Sequence, residues 1–116
     1  MSGDTRMRLI LFAGLLLIAA PLRVSADTIP NPTVNGQVVG DCPAINGTVD
    51  CQRAMTAATA VCKEYGFRRA DSYHLRHLSI RGVQLGLSID DQETVDHSEW
   101  MAGNLGSSFD AIDCSR

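Results

Sequence analysis

His74, His77 and His97 are the side chains of this sequence best suited to metal or acid–base chemistry. A neutral imidazole binds zinc or copper, and near neutral pH it exchanges protons. His74-x-x-His77 has the spacing of two ligands on one helical face, with Asp71 and Asp96 as the nearest candidate carboxylates. On a strand the same offset sends the two imidazoles to opposite faces, because side chains alternate there. The surrounding residues read as strand. The expectation is therefore solvated histidines, with no metal, no cofactor and no assigned catalytic residue. A small metal-dependent or hydrolytic enzyme using His74, His77 or His97 is the alternative.

Hydroxyl chemistry has little support. Ser107 and Ser108 stand near acids, but no nucleophile-elbow motif surrounds them. Residues 103–108 have the small side chains of a phosphate-cradling loop and lack its lysine and spacing.

Arginine and tryptophan offer binding chemistry instead. Lys63, Arg68, Arg69, Arg76 and Arg81 form a basic stretch, diluted by Glu64 and Asp71. Asp90, Asp91, Glu93, Asp96, Glu99, Asp110 and Asp113 make the last third acidic. One reading is a basic face for an anionic ligand, with Arg68, Arg69 and Arg76 as contacts. The favoured reading is that strands from the two regions pair, so that opposite charges face each other across a sheet. Trp100, the lone tryptophan, is a ligand-anchor candidate or a plug between helix and sheet.

Cys42, Cys51, Cys62 and Cys114 are separated by gaps of eight, ten and 51 residues, and no C-x-x-C occurs. Redox dithiols and zinc fingers need closer spacing. Structural disulfides are expected, and four cysteines allow three pairings. If residues 51–65 form a helix, Cys51 and Cys62 lie on one face about 16 Å apart along the axis. A disulfide needs Cα atoms within about 7 Å, so these two cannot join. Cys42 with Cys51 and Cys62 with Cys114 is the favoured pairing. Cys42 with Cys62 and Cys51 with Cys114 is the alternative.

The compartment follows from the N-terminus. Arg6 and Arg8 precede 14 uncharged residues, 9–22, and Val24-Ser25-Ala26 supplies small residues for cleavage. The run is too short for a spanning helix, which needs about 20 apolar residues. Residues 1–26 are read as a cleaved signal peptide, giving a secreted or periplasmic protein with no stable membrane insertion. The leader carries three of the ten basic and one of the 13 acidic residues, leaving seven against 12, a net charge of −5. That balance excludes generic nucleic-acid binding, which needs a basic surface. Asn46-Gly47-Thr48 is a glycosylation sequon, relevant only in a eukaryotic secretory pathway.

These side chains need a scaffold. Residues 27–43 hold three prolines, Asn35-Gly36 and Gly40, and read as an extended arm, either mobile and tied down at Cys42 or with Val34 and Val38-Val39 in a short edge strand. Asp50 is a good N-cap, Gly66 a good C-cap, and Cys51, Ala54, Met55, Ala58, Val61, Cys62 and Tyr65 form one apolar helical face. Strands are expected at 73–80, 82–89 and 108–114, with a turn or bulge at Arg81-Gly82, an acidic connection at 90–99 and a turn at 103–106. The expected fold is α+β: one amphipathic helix on a small, mostly antiparallel sheet, disulfide-stabilised, as a single domain over residues 44–116. The residues identify no family. The expected function is a non-catalytic binding or interaction module whose partner is a protein or a small anionic ligand.

Overall fold

Asparagine–glycine pairs make the first two turns of the domain. Asn35 and Gly36 have φ of 54° and 76°, and Asn46 and Gly47 have 50° and 86°. Two successive positive φ values suit a tight hairpin turn, and Asn-Gly tolerates them best. The computed structural model describes residues 26–116, so the expected leader lies outside the described residues except for Ala26. Strand β1 (Ala26–Pro30) comes first, then the hairpin β2 (Thr33–Val34) and β3 (Gln37–Val38). The second Asn-Gly turn joins β4 (Ala44–Ile45) to β5 (Thr48–Val49). β4 also lies parallel to residues 86–87, and the Asn46 side chain extends that pairing: Ile89 N–H donates to its Oδ1 at 2.8 Å, and its Nδ2 donates to Ile89 O at 3.1 Å. The amide of the sequon is thus engaged in holding the sheet.

The helix begins as expected. The Asp50 carboxylate accepts the Gln52 N–H at 3.0 Å, capping a 3₁₀ turn (Cys51–Arg53) that runs into α1 (Ala54–Glu64). It ends on Gly66 at φ 89°. Phe67 N–H bonds Cys62 O at 2.9 Å and Gly66 N–H bonds Lys63 O at 3.1 Å, the two bonds of a Schellman cap. Ala54, Ala57, Ala58, Val61 and Cys62 are the buried face. The expected face also held Cys51, Met55 and Tyr65, and the structure corrects this: all three are exposed. The 3₁₀ turn advances the chain by three residues per turn rather than 3.6, so α1 starts in a different phase from Cys51.

Two strands of 21 residues, β6 (Arg69–Ile89) and β7 (Val95–Ser115), form one long antiparallel hairpin. The strands expected at 73–80 and 82–89 are therefore continuous. Arg81 and Gly82 pair with Asn104 and Gly103, so neither they nor residues 103–106 form a turn. No bulge falls at Arg81-Gly82 either; the nearest one lies between His77 and Ile80, where three steps on β6 face two on β7. That inserted residue changes face and explains why Leu75 is out of phase with Leu78 and Ile80. Three further register shifts fall at Ala70/Ser72, His74/Leu75 and Ser88/Ile89. Bulges increase the twist of a ribbon.

The ribbon coils far enough for its two outer edges to share one partner. Val39 lies parallel to Val83 on β6, and Gly40 antiparallel to Ser108 on β7. Gly40 N–H donates to Val83 O at 2.8 Å, and Phe109 N–H to Val39 O at 3.1 Å. Yet Val83 pairs with Ala102, and Ser108 with Arg76, so the two contact points are well separated along the hairpin. Val39, Val61, Val83, Leu85, Phe109 and Ile112 fill the space enclosed.

The main sheet has the order β1-β7-β6-β4-β5, with only β4 parallel to its neighbour β6. One helix on a mostly antiparallel sheet with two disulfides matches the expected architecture. The sheet, however, is not small, and strand rather than a balance of helix and strand dominates. The bridges join Cys42 to Cys51 and Cys62 to Cys114, with Cα separations of 4.2 and 5.7 Å. This is the favoured pairing, and the crossed one does not occur.

Candidate functional site

The histidines are dispersed along the hairpin. His74 pairs with Ala111, His77 with Ser107 and His97 with Ser88. No residue is inserted on β6 between positions 74 and 77, so alternation places these two on opposite faces. His97 stands at the far end of the ribbon, 3.6 Å from Glu99. Among the described residues, no group of three or more His, Cys, Asp or Glu side chains is placed to hold a metal ion.

The arginines are divided in the same way. Arg68 is exposed at the start of the hairpin. Arg69 lies beside Asp71, with Nε and Oδ1 3.4 Å apart. Arg76 is seven residues further on, roughly 20 Å along an extended strand. Its guanidinium reaches across the sheet to Asp110 at 3.6 Å and donates to Asn31 Oδ1. The pairing of the basic segment with the acidic one is therefore realised at Arg76. Trp100 is half-buried, sits opposite Leu85 and packs against the core.

Two polar arrangements arise that no sequence signal marked. Asp41 is only 5 % exposed, and Ser107 Oγ donates to its Oδ1. The hydroxyl meets the carboxylate directly, with no imidazole between them as a charge-relay triad requires. The pair borders a cleft of about 270 Å³ beside the Cys42–Cys51 bridge.

The second is Asp113. Ser72 Oγ donates to its Oδ2 at 2.6 Å and Thr28 Oγ to its Oδ1 at 2.5 Å. These two bonds, Ser72 first, hold its pKa below the ordinary 3.8. A carboxylate with a lowered folded-state pKa stabilises the fold above its unfolded value, and that stabilisation is lost as pH falls through the folded value. Asp113→Asn should accordingly flatten the fall of Tm between about pH 4 and pH 2, followed by circular dichroism. Parallel curves for the two proteins would remove Asp113 from the acid response.

An apolar concavity lies between α1 and the far half of the hairpin. It is a groove of about 460 Å³. Leu85 and Leu87, both buried, form its floor, and Thr56, Thr59 and Ala60 of α1 its wall. Met55 and Val95 stand at the rim, 42 % and 51 % exposed. Lys63 closes the end nearest the helix C-terminus. The Arg53–Glu93 ion pair, 3.2 Å long, ties the helix start to the hairpin turn. Helical periodicity hides the groove, because Met55 falls on the apolar face with Ala58 and Cys62. A signal existed: Thr56, Thr59, Ala60 and Lys63 recur at three- and four-residue spacing, a second face of the same helix.

Among the described residues no helix is long and apolar enough to cross a membrane. Comparison with protein families, curated proteins and solved structures finds no match to this chain.

Proposed function

We propose that this protein is an exported, non-catalytic binding module, and that the groove between α1 and the β6–β7 ribbon is its binding surface. The groove is the observation that carries this reading. Apolar side chains such as Met55 and Val95 are left half-exposed around a concave floor of Leu85 and Leu87. Concave apolar surface with a few polar groups at its margin is the usual form of a small-ligand site. The walls are preorganised: Cys62–Cys114 fixes the helix end to β7, and the Arg53–Glu93 pair joins the helix start to the turn. Export is supported by the leader and by two disulfides, which persist only in an oxidising compartment.

Thr56 is exposed and lines the groove, so Thr56→Phe should fill it without disturbing the core. Immobilised wild-type protein should retain a small molecule or peptide from an extract of the native compartment, and Thr56→Phe should lose it. Both disulfides and the far-ultraviolet spectrum should be unchanged in the variant. Equal retention by the two proteins would overturn the assignment of the groove.

A further inference from the structure

Resting on that reading, we infer that the groove binds a single-chain anionic amphiphile, with its alkyl chain over Leu85 and Leu87 and its head group at Lys63. Arg53, Arg69 and Arg76 each have a carboxylate within 4 Å. Lys63 is exposed and has no such partner among the described residues. Glu64, the next residue, projects about 100° away around the helix. The opposite end, by Met55 and Val95, offers no free cation among the described residues, because Arg53 there is paired with Glu93. An anion is attracted to the Lys63 end alone, which orients the ligand. Between the two ends the lining offers no charge, and the Thr59 hydroxyl is already committed to Ala70 N–H at 3.1 Å. A volume of about 460 Å³ is at the small end of ligand sites and accommodates one chain rather than two.

The test is a titration of the purified disulfide-bonded protein with octanoate, decanoate and dodecanoate below their micellar concentrations. Trp100, the only tryptophan, lies opposite Leu85 and reports through its fluorescence. Affinity should rise with chain length, by up to about fourfold for each methylene that seats. Dodecanoate should bind more tightly than dodecyltrimethylammonium. Lys63→Ala should weaken dodecanoate about two- to fivefold, the effect of a solvent-exposed ion pair, and leave dodecanol unchanged. Thr56→Phe should abolish all of these. Equal affinity for the anionic and cationic probes, or no effect of Lys63→Ala, would overturn the head-group assignment while the groove stands. Binding undiminished in Thr56→Phe would overturn groove and amphiphile together. No binding of any alkyl probe would overturn the amphiphile alone, since capture from the native extract tests the groove separately.

Discussion

Replacing Cys62 and Cys114 together by alanine is expected to remove about 4 kcal/mol of stability, because the bridge closes a 52-residue separation. Domains of this size are stable by about 5–15 kcal/mol, so a quarter or more of the fold's margin goes with it. The packing around the bridge makes the loss harder to absorb. The helix face turned to the sheet is Ala54, Ala57, Ala58, Val61 and Cys62. Alanines remove little apolar surface from water, so α1 is held by less hydrophobic burial than its length suggests. The bridge compensates by fixing the helix end to β7. The Cys42–Cys51 bridge closes only nine residues and should contribute about 2.7 kcal/mol. Access separates the two as well: Cys62 and Cys114 are 0 % exposed, whereas Cys51 faces solvent. A mild reductant followed by alkylation and mass spectrometry should label Cys42 and Cys51 first. Urea denaturation of the Cys62→Ala, Cys114→Ala protein should show its midpoint collapsing. An unchanged midpoint would mean that the bridge constrains little.

A second large effect is expected at Gly82. A Cβ built there would lie 2.3 Å from Val38 O and 2.7 Å from Leu105 Cδ1. A backbone oxygen cannot rotate away, so the added methyl must push the seam apart. Gly82→Ala should cost about 3 kcal/mol, the upper part of the range for overpacking, and Gly82→Val more. Gly106 supplies the matched control, because nothing lies within 4 Å of a Cβ at that position. Gly106→Ala should stay within about 0.5 kcal/mol of wild type. Hydrogen exchange adds a local readout. The Gly40 and Phe109 amides, which bond Val83 O and Val39 O across the seam, should lose protection in Gly82→Ala. If the two glycine variants were equally stable, the coiled closure of the ribbon would be wrong.

The helix was legible because its stop and start signals are local. Asp50 and Gly66 act within a turn of the residues they cap. The disulfide pairing was legible only in part: helical rise separates Cys51 from Cys62 and removes one of three pairings, while the choice between the other two depends on the tertiary fold. The long strands were not legible, because glycine carries two meanings. At Asn35-Gly36 and Asn46-Gly47 it marks a turn. At Gly82 and Gly86 it lies inside a strand, where Val38 O and the Met101 side chain come too close for a Cβ. Only the tertiary neighbour distinguishes the two cases. The groove was hidden by the same dependence. Its floor and wall come from segments about 25 residues apart in sequence, Thr59 and Ala60 against Leu85 and Leu87. They meet only once the ribbon has coiled around the helix. Asp41 gave no signal at all, since its partner Ser107 lies on β7, 66 residues away.

Whether the groove is the binding surface is decided by mapping amide chemical-shift changes on the ¹⁵N-labelled disulfide-bonded protein during a dodecanoate titration. Saturable changes should concentrate at Thr56, Thr59, Lys63, Leu85, Leu87 and Val95, with the seam at Gly40 and Phe109 unmoved. Changes concentrated at Arg68, Arg69 and Arg76 instead, with the groove silent, would contradict that assignment.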